Sequence, residues 1–299
     1  MRLDMLGLEA FVAVAERSSF QRAATHLGLT QTALSHRVKK LEAGLGTALL
    51  ARTTRRVMLT ADGLDLLPKA QALLSDANRI LAEARVDQKS RRRQIAIGCL
   101  PTLAVTILPV VLGRFVTRHP QSTVRVFDNS ATEVQDLVVK GQVEFAITSA
   151  GPQRTGLDFT PLGDEAYALL CPKAHRLAQK RFVKWVDLAD TPLVRISTRT
   201  GNRRLMDAAL GSDADRFRWA IEVQHIASAV AFVLGGVALA VVPRMALDPA
   251  RMTGLALVPL REPTVARTIG SLTRTGHTLS PDAAGLLQDI AVEVRARVK

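Results

Sequence analysis

Between Ser19 and Glu42 two short apolar repeats of helical period are separated by a single glycine. Phe20, Ala23, Ala24 and Leu27 fall on one face of a first helix, with Ser19 placed to cap its N-terminus. Gly28 follows, where a left-handed residue closes a helix at least cost. Leu29 anchors the turn, and Thr30 caps a second helix whose apolar positions are Ala33, Leu34, Val38 and Leu41. The small residues Ala23, Ala24 and Ala33 let the two helices cross closely. This spacing predicts a helix-turn-helix, the geometry that sets one helix into the major groove of a duplex.

The opposite face of the second helix carries Gln31, Thr32, Ser35, His36 and Lys39. Gln can bond bidentately to adenine, Lys can reach guanine or the backbone, and Ser and Thr suit either a base edge or a phosphate. From Arg17 to Met58 there are eight Lys/Arg against one acid, Glu42. An ordinary helical hairpin with a solvated face would mix its signs, so the expected partner is double-stranded DNA. Arg52-Thr53-Thr54-Arg55-Arg56-Val57-Met58-Leu59 reads as a turn running into a strand. This is a wing whose Arg52, Arg55 and Arg56 would hold flanking phosphates, positioning the protein without reading sequence.

Residues 6–70 resemble the DNA-binding head of LysR-type transcriptional regulators. The resemblance is carried by Phe11–Glu16, Ser19-Phe20, Ala23-Ala24, Leu29-Thr30-Gln31, Ala33-Leu34-Ser35, Leu41-Glu42, Leu45-Gly46, Leu49, Arg52 and Leu59–Gly63. Thr32 stands where that family often has Pro, His36 where Arg is common, and Leu50 where Phe is usual. His36 departs at an expected base-contact position, so no operator sequence carries over.

From about Thr60 to Lys89 the pattern is helical. Leu67, Leu74 and Leu81 recur every seven residues, and Ala70 and Ala77 repeat three positions later, an a/d seam of Leu and Ala. Pro68 interrupts it and should loosen the helix near Leu64. Read from the residues, the helix packs either on its own chain or on a second copy. The resemblance implies the latter, a dimerisation helix using Leu67, Ala70, Leu74, Ala77 and Leu81. Arg91-Arg92-Arg93 closes the segment as a solvated hinge or a further DNA contact.

Beyond Gln94 short apolar strands alternate with helices, which indicates parallel βαβ units. The first set is strand Ile95–Cys99, one helix Leu103–Arg118, strand Thr123–Phe127, helix Thr132–Lys140 and strand Glu144–Thr148. A second set runs from Ala166–Cys171 through Leu193–Ile196, a helix near Arg203–Leu210, and Ala220–Val223. A helix after His225, strands Val237–Val242 and Arg267–Arg274, and a last helix from Pro281 complete it. The uncharged run Ile226–Val242 falls short of the ~20 residues of a membrane span. Gly235-Gly236 divides it into a helix and a strand.

Ile97-Gly98, Pro101-Thr102, Leu108-Pro109, Phe145-Ala146-Ile147, Cys171–Ala178 and Gly235–Pro243 resemble the LysR-type effector domain. The fold class this implies is multi-domain: an all-α winged helix-turn-helix head plus linker helix, then an α/β two-lobed periplasmic-binding-protein-like effector domain. The expected boundaries are 1–62, 63–90 and 91–299, with lobe I formed by 94–163 and 267–299 and lobe II by 164–266. The resemblance places an effector against the loops after the strands, which offer Thr102, Ser130, Thr132, Thr148, Arg195, Ser197 and His225. Thr102, Ser130 and Thr132 stand at helix N-termini, where hydroxyls and free amides suit an anion, though such residues also cap helices. Arg195, the lone charge of its strand, would neutralise a carboxylate or form a structural salt bridge. His225 would be a ligand donor or a turn residue.

A net charge of +13 favours a polyanionic partner, and residues 91–299 carry 27 basic groups against 18 acidic ones. That excess would hold DNA generally or attract an anionic effector. Two cysteines, Cys99 and Cys171, lie in apolar runs and read as buried thiols in a reducing cytosol rather than as a redox pair. The N-terminal apolar stretch is broken by Asp4, Glu9 and Glu16, unlike a signal peptide.

A solute-binding protein is disfavoured by the basic head and by this missing leader. An enzyme is disfavoured because no phosphate-binding loop, nucleophile elbow or metal-spaced cluster occurs. The expectation is therefore a cytoplasmic regulator, not an enzyme, with no cofactor or metal and no membrane association. Its DNA binding would be set by a small anionic metabolite, acting through different affinities for two states. It would work as a homodimer or homotetramer, with RNA polymerase as a further partner implied by the resemblance.

Overall fold

The computed structural model describes residues 4–52, 57–85, 93–197, 201–248 and 253–298. Two compact units result: Met1–Arg91 with Val139–Gln142, and Arg92–Val138 with Val143–Lys299.

The first unit begins with α1 (Met5–Arg17), α2 (Phe20–His26) and α3 (Gln31–Leu45), followed by β1 (Leu50–Arg52), β2 (Val57–Leu59) and α4 (Ala61–Arg85). The caps fall where the sequence placed them. Ser19 Oγ accepts from the Arg22 amide at 3.3 Å, and Thr30 Oγ1 from the Ala33 amide at 3.2 Å. Gly28 takes φ 64°, a left-handed conformation that glycine adopts without a Cβ clash. Leu8, Phe11 and Val14 of α1 meet Ala23, Ala24, Leu34, Val38 and Leu41 in one core. Ala33, expected on the apolar face, is instead exposed. It lies in the first turn of α3, where the helix has not yet crossed its neighbours.

Strands β1 and β2 pair antiparallel as a short hairpin, Leu50 opposite Leu59. Glu42, the one acid of the basic stretch, holds this hairpin to α3. Its Oε1 accepts from the amides of Leu49 (2.8 Å) and Leu50 (3.1 Å). A Cβ at Gly63 would lie 2.1 Å from the Leu49 carbonyl oxygen, so glycine is required where α4 leaves the hairpin. Helix α4 is continuous through Pro68. The carbonyl that loses its donor belongs to Leu64, which is exposed, so water can take the bond.

The second unit contains β3 (Arg93–Cys99), α5 (Pro101–Thr106), α6 (Leu108–Arg118), β4 (Ser122–Asp128), α7 (Ala131–Val139) and β5 (Phe145–Ser149). Then come β6 (Leu157–Pro172), β7 (Val183–Lys184), β8 (Leu193–Ile196), α8 (Gly201–Leu210), β9 (Trp219–Val223) and α9 (Ile226–Leu234). It ends with β10 (Leu239–Pro243), β11 (Leu255–Arg261), β12 (Ala266–Arg274) and α10 (Pro281–Val298). The single helix expected over Leu103–Arg118 is two, broken at Ile107. Pro109 stands at the start of α6, where its missing amide costs nothing, and it cannot continue a helix from α5.

The strands run in the order β4-β3-β5-β12-β6-β10-β8-β9, with β11 on β6 and β7. Pairing is parallel for β4-β3-β5 and for β10-β8-β9. It is antiparallel wherever β6 or β12 takes part in this order. The predicted short strand Ala166–Cys171 is the second half of the 16-residue β6, which pairs with β12 and then with β10 and β11. Two α/β lobes therefore share their crossing strands. The first lobe's core gathers Ile97, Phe115, Phe145, Leu286 and Ile290. The second has a cluster on each sheet face, with Leu169 and Cys171 on one side and Leu170 on the other, as the two-residue period of a strand demands. Among the described residues no helix is long and apolar enough to cross a membrane. Ile226–Val242 divides into α9, a turn with Gly236 at φ 68°, and β10.

Candidate functional site

In the first unit Gln31, Thr32, His36 and Lys39 are exposed along the N-terminal half of α3, and Ser35 is half-buried among them. Leu34, Val38 and Leu41 anchor the other face in the core. The face is thus held rigidly and free of apolar obstruction. Arg52 is placed by its backbone alone, as the last residue of β1, opposite Val57. Arg55 and Arg56 lie outside the described residues.

The α4 seam divides. Leu67 and Ala70 pack into the core of their own head, Ala70 being almost fully buried. Leu74 and Ala77 are half-buried, and Leu81 is exposed.

In the second unit a cavity of about 380 Å³ opens between the lobes. Thr102, Ser130 and His225 line it, together with Asp128, Asn129, Glu133, Ser149, Asn202, Gln224 and Arg267. Four expected residues do not. Thr132 is exposed on α7, turned out by the helix whose first turn Ser130 caps. Thr148 is buried in the sheet, and its hydroxyl has no hydrogen-bond partner among the described residues. Ser197 is half-buried outside the lining. Arg195 belongs to a small adjoining hollow with Tyr167, Asp207 and Trp219. Its guanidinium lies 3.4 Å from Asp207 and 5.0 Å from the Trp219 ring, the salt-bridge alternative. Thr198, Arg199 and Thr200, which precede α8 in the sequence, lie outside the described residues.

The cavity floor is a polar network that the sequence reading missed. Arg267 donates through Nε to Glu165 Oε2 (2.7 Å), through Nη1 to Asn202 Oδ1 (2.9 Å) and through Nη2 to Thr102 Oγ1 (3.2 Å). Glu165 Oε1 accepts from the Met245 amide at 2.6 Å. The Tyr167 hydroxyl donates to Asn202 Oδ1 at 2.6 Å, and burial pushes its pKa up to about 12, keeping the donor protonated. The network ties β6, β12, α5, α8 and the turn after β10, so a ligand that touches both Thr102 and Asn202 touches both lobes. One signal was available: Arg267 is an isolated charge entering the run Thr268–Leu272, the criterion that singled out Arg195.

On the α7 wall, Glu133 accepts from the Ser130 amide (3.0 Å) and hydroxyl (2.7 Å). These bonds hold its carboxyl below the usual carboxylate range. Asp128 ends β4 with its side chain exposed. On the opposite wall α9 starts after His225 without a side-chain cap; the Ser228 amide bonds the His225 carbonyl at 3.1 Å, and the amides of Ile226 and Ala227 have no partner among the described residues. Both cysteines are buried, in the cores of different lobes. Burial pushes the Cys99 thiol up to about 12 and raises that of Cys171.

Two family models match this chain: the helix-turn-helix of bacterial regulatory proteins of the lysR family over residues 6–64, and the LysR substrate binding domain over residues 88–293. An uncharacterised HTH-type transcriptional regulator of Escherichia coli, YbhD, is 32% identical over 283 residues, covering 95% of this chain and 89% of its own. A probable hydrogen peroxide-inducible genes activator of Mycobacterium avium is 35% identical over 276 residues, 90% of this chain and 87% of its own. Among solved structures, a full-length OxyR variant of Pseudomonas aeruginosa superposes with a TM-score of 0.68 at 22% identity, covering 99% of this chain and 95% of that one. Full-length CbnR complexed with its target DNA gives 0.62 at 21% identity, covering 98% of this chain and all of CbnR. At these identities the two structures show the fold.

Proposed function

The chain belongs to the LysR family of bacterial transcriptional regulators, and from that premise we propose that it binds a specific duplex DNA site under the control of a small metabolite held in the interlobe cavity. The α3 face of Gln31, Thr32, Ser35, His36 and Lys39 reads bases, and Arg52, Arg55 and Arg56 of the wing hold phosphates. The functional divisions are a head over 1–62, a linker helix over 63–90 and an effector domain over 91–299, in a cytoplasmic protein. Two copies associate through α4, with Leu74, Ala77 and Leu81 forming the seam. The metabolite carries a carboxylate, which suits the uncapped start of α9 and the Thr102 hydroxyl.

The observation that carries this reading is the Arg267–Asn202–Thr102 network, because it joins elements of both lobes at the cavity wall. Replacing Thr102 by Val tests it in full-length protein bound to DNA from upstream of its own gene. Basal affinity is expected to stay within about twofold, while the response to small molecules disappears. An unchanged response removes the cavity as the effector site.

The mycobacterial relative's name raises a second reading, peroxide sensing through thiols. The thiolate is the reactive form, and here both thiols are buried with raised pKa values in separate cores. These residues favour ligand binding over thiol oxidation.

A further inference from the structure

The cavity is lined by two kinds of charge, and they are differently committed. We infer that its ligand is a zwitterion, an α-amino acid or close relative with both a carboxylate and an ammonium group. This rests on the reading of the cavity as the effector site.

The carboxylate end has three donors. Helix α9, nine residues long, opens on the cavity at His225 and Ile226 with no side-chain cap. Its Ile226 and Ala227 amides, without partners among the described residues, and its positive dipole end attract an anion. Thr102 is almost fully buried, and its oxygen accepts from Arg267. Its own hydroxyl proton has no acceptor among the described residues and is free for a ligand oxygen. Arg267 adds a guanidinium edge, but its charge is already matched by Glu165 at 2.7 Å.

Among the described residues, the fixed charge that remains on the lining is negative. Asp128 and Glu133 both face the cavity. Glu133 is kept ionised by Ser130. The Asp128 side chain makes no hydrogen bond or ion pair among the described residues. A dicarboxylate would set its second anion against these two groups, at a cost unmatched by any uncommitted Lys or Arg on the lining among the described residues. Glu133 already has the Ser130 amide and hydroxyl, so a simple monocarboxylate would leave Asp128 without a partner. An ammonium group satisfies it beside the Glu133 charge, and charged hydrogen bonds of that kind are the stronger class. A volume near 380 Å³ lies at the small end of ligand sites, which run from ~300 to ~1,000 Å³, and admits an amino acid with its side chain.

The test uses full-length protein and matched probes: the twenty L-amino acids, each beside its des-amino carboxylic acid, with glutarate as the dianion. Thermal unfolding selects binders and calorimetry measures them. At least one amino acid should bind about tenfold or more tightly than its des-amino partner, since a charged hydrogen bond is worth about one decade or more. Asp128→Asn, an exposed and unpartnered position, should bring the two within about threefold. Des-amino acids or glutarate binding as tightly, an unchanged amine preference in Asp128→Asn, or no amino acid binding would each overturn the proposal. Thr102→Val separates the two levels. If it leaves binding intact, the cavity reading itself fails. If it abolishes carboxylate binding while Asp128→Asn changes nothing, the cavity stands and the zwitterion falls.

Discussion

Arg267 and Glu165 form an ion pair of 2.7 Å with side chains 3% and 1% exposed, at the floor of the interlobe cavity. Such a pair loses hydration on both sides and is held by its geometry and its remaining hydrogen bonds. Here those bonds go to Asn202, Thr102 and the Met245 amide. Arg267→Met strands the Glu165 charge and should cost about 3–5 kcal/mol in urea unfolding. The double change Arg267→Met with Glu165→Gln should recover much of the loss. A single-variant cost under about 1 kcal/mol would show that the pair does not hold the lobes.

The divided α4 seam predicts two different phenotypes. Ala70→Asp places a charge in the head core and should unfold the head. Leu81→Asp meets solvent in the single chain. It should leave the head folded while weakening self-association by about tenfold or more, read by analytical ultracentrifugation. A Leu81→Asp protein with unaltered association would remove α4 as the dimer seam.

On α3, Lys39→Ala should lower the slope of log affinity against log salt by about 1, the signature of one lost phosphate contact. Gln31→Ala should instead relax the base preference at one operator position by about 1–3 kcal/mol. If both changes weakened all sequences equally, α3 would not be reading bases.

Glu133 supplies a pH dependence whose sign is fixed. Its carboxyl is held below the usual range by the Ser130 hydroxyl and amide. A depressed native pKa stabilises above the unfolded carboxylate range, and that stability is lost as pH falls through the native value. Ser130→Ala should raise the Glu133 pKa in a carbon-13 titration. It should also lower stability at neutral pH, and the gap from the parent should narrow in acid. A gap independent of pH would mean that the Ser130 effect is not electrostatic.

Both thiols should resist chemistry in the native state. At pH 8 iodoacetamide should label Cys99 and Cys171 far more slowly than in urea, and the double Cys→Ser protein should keep its ligand response. Rapid native labelling would revive the thiol reading.

The head was legible because its signals are local. Caps at Ser19 and Thr30, a left-handed Gly28 and an apolar repeat each depend on a few neighbouring residues, and the structure keeps them. The interlobe cavity was half legible. Thr102, Ser130 and His225 follow from the rule that ligands meet loops after strands. Arg267 and Glu165 escaped because their meaning lies in a pairing 102 residues apart across antiparallel strands; the isolated Arg267 charge marks a position but not its partner. Arg195 shows the converse: a lone charge in a strand was partnered by Asp207, on the helix that follows it. The split of α4 was hidden for a similar reason, since a Leu/Ala repeat is the same whether it meets its own head or a second copy.

On the proposed reading, the cavity in the effector unit sets what the α3 face does on DNA. DNase I footprinting upstream of the protein's own gene, with and without a deproteinised small-molecule extract of the source cells, tests it most directly. The extract should alter the protected region for the parent protein and leave it unaltered for Thr102→Val. An extract-induced change of equal extent in both proteins would contradict it, as would no protection of that DNA at all.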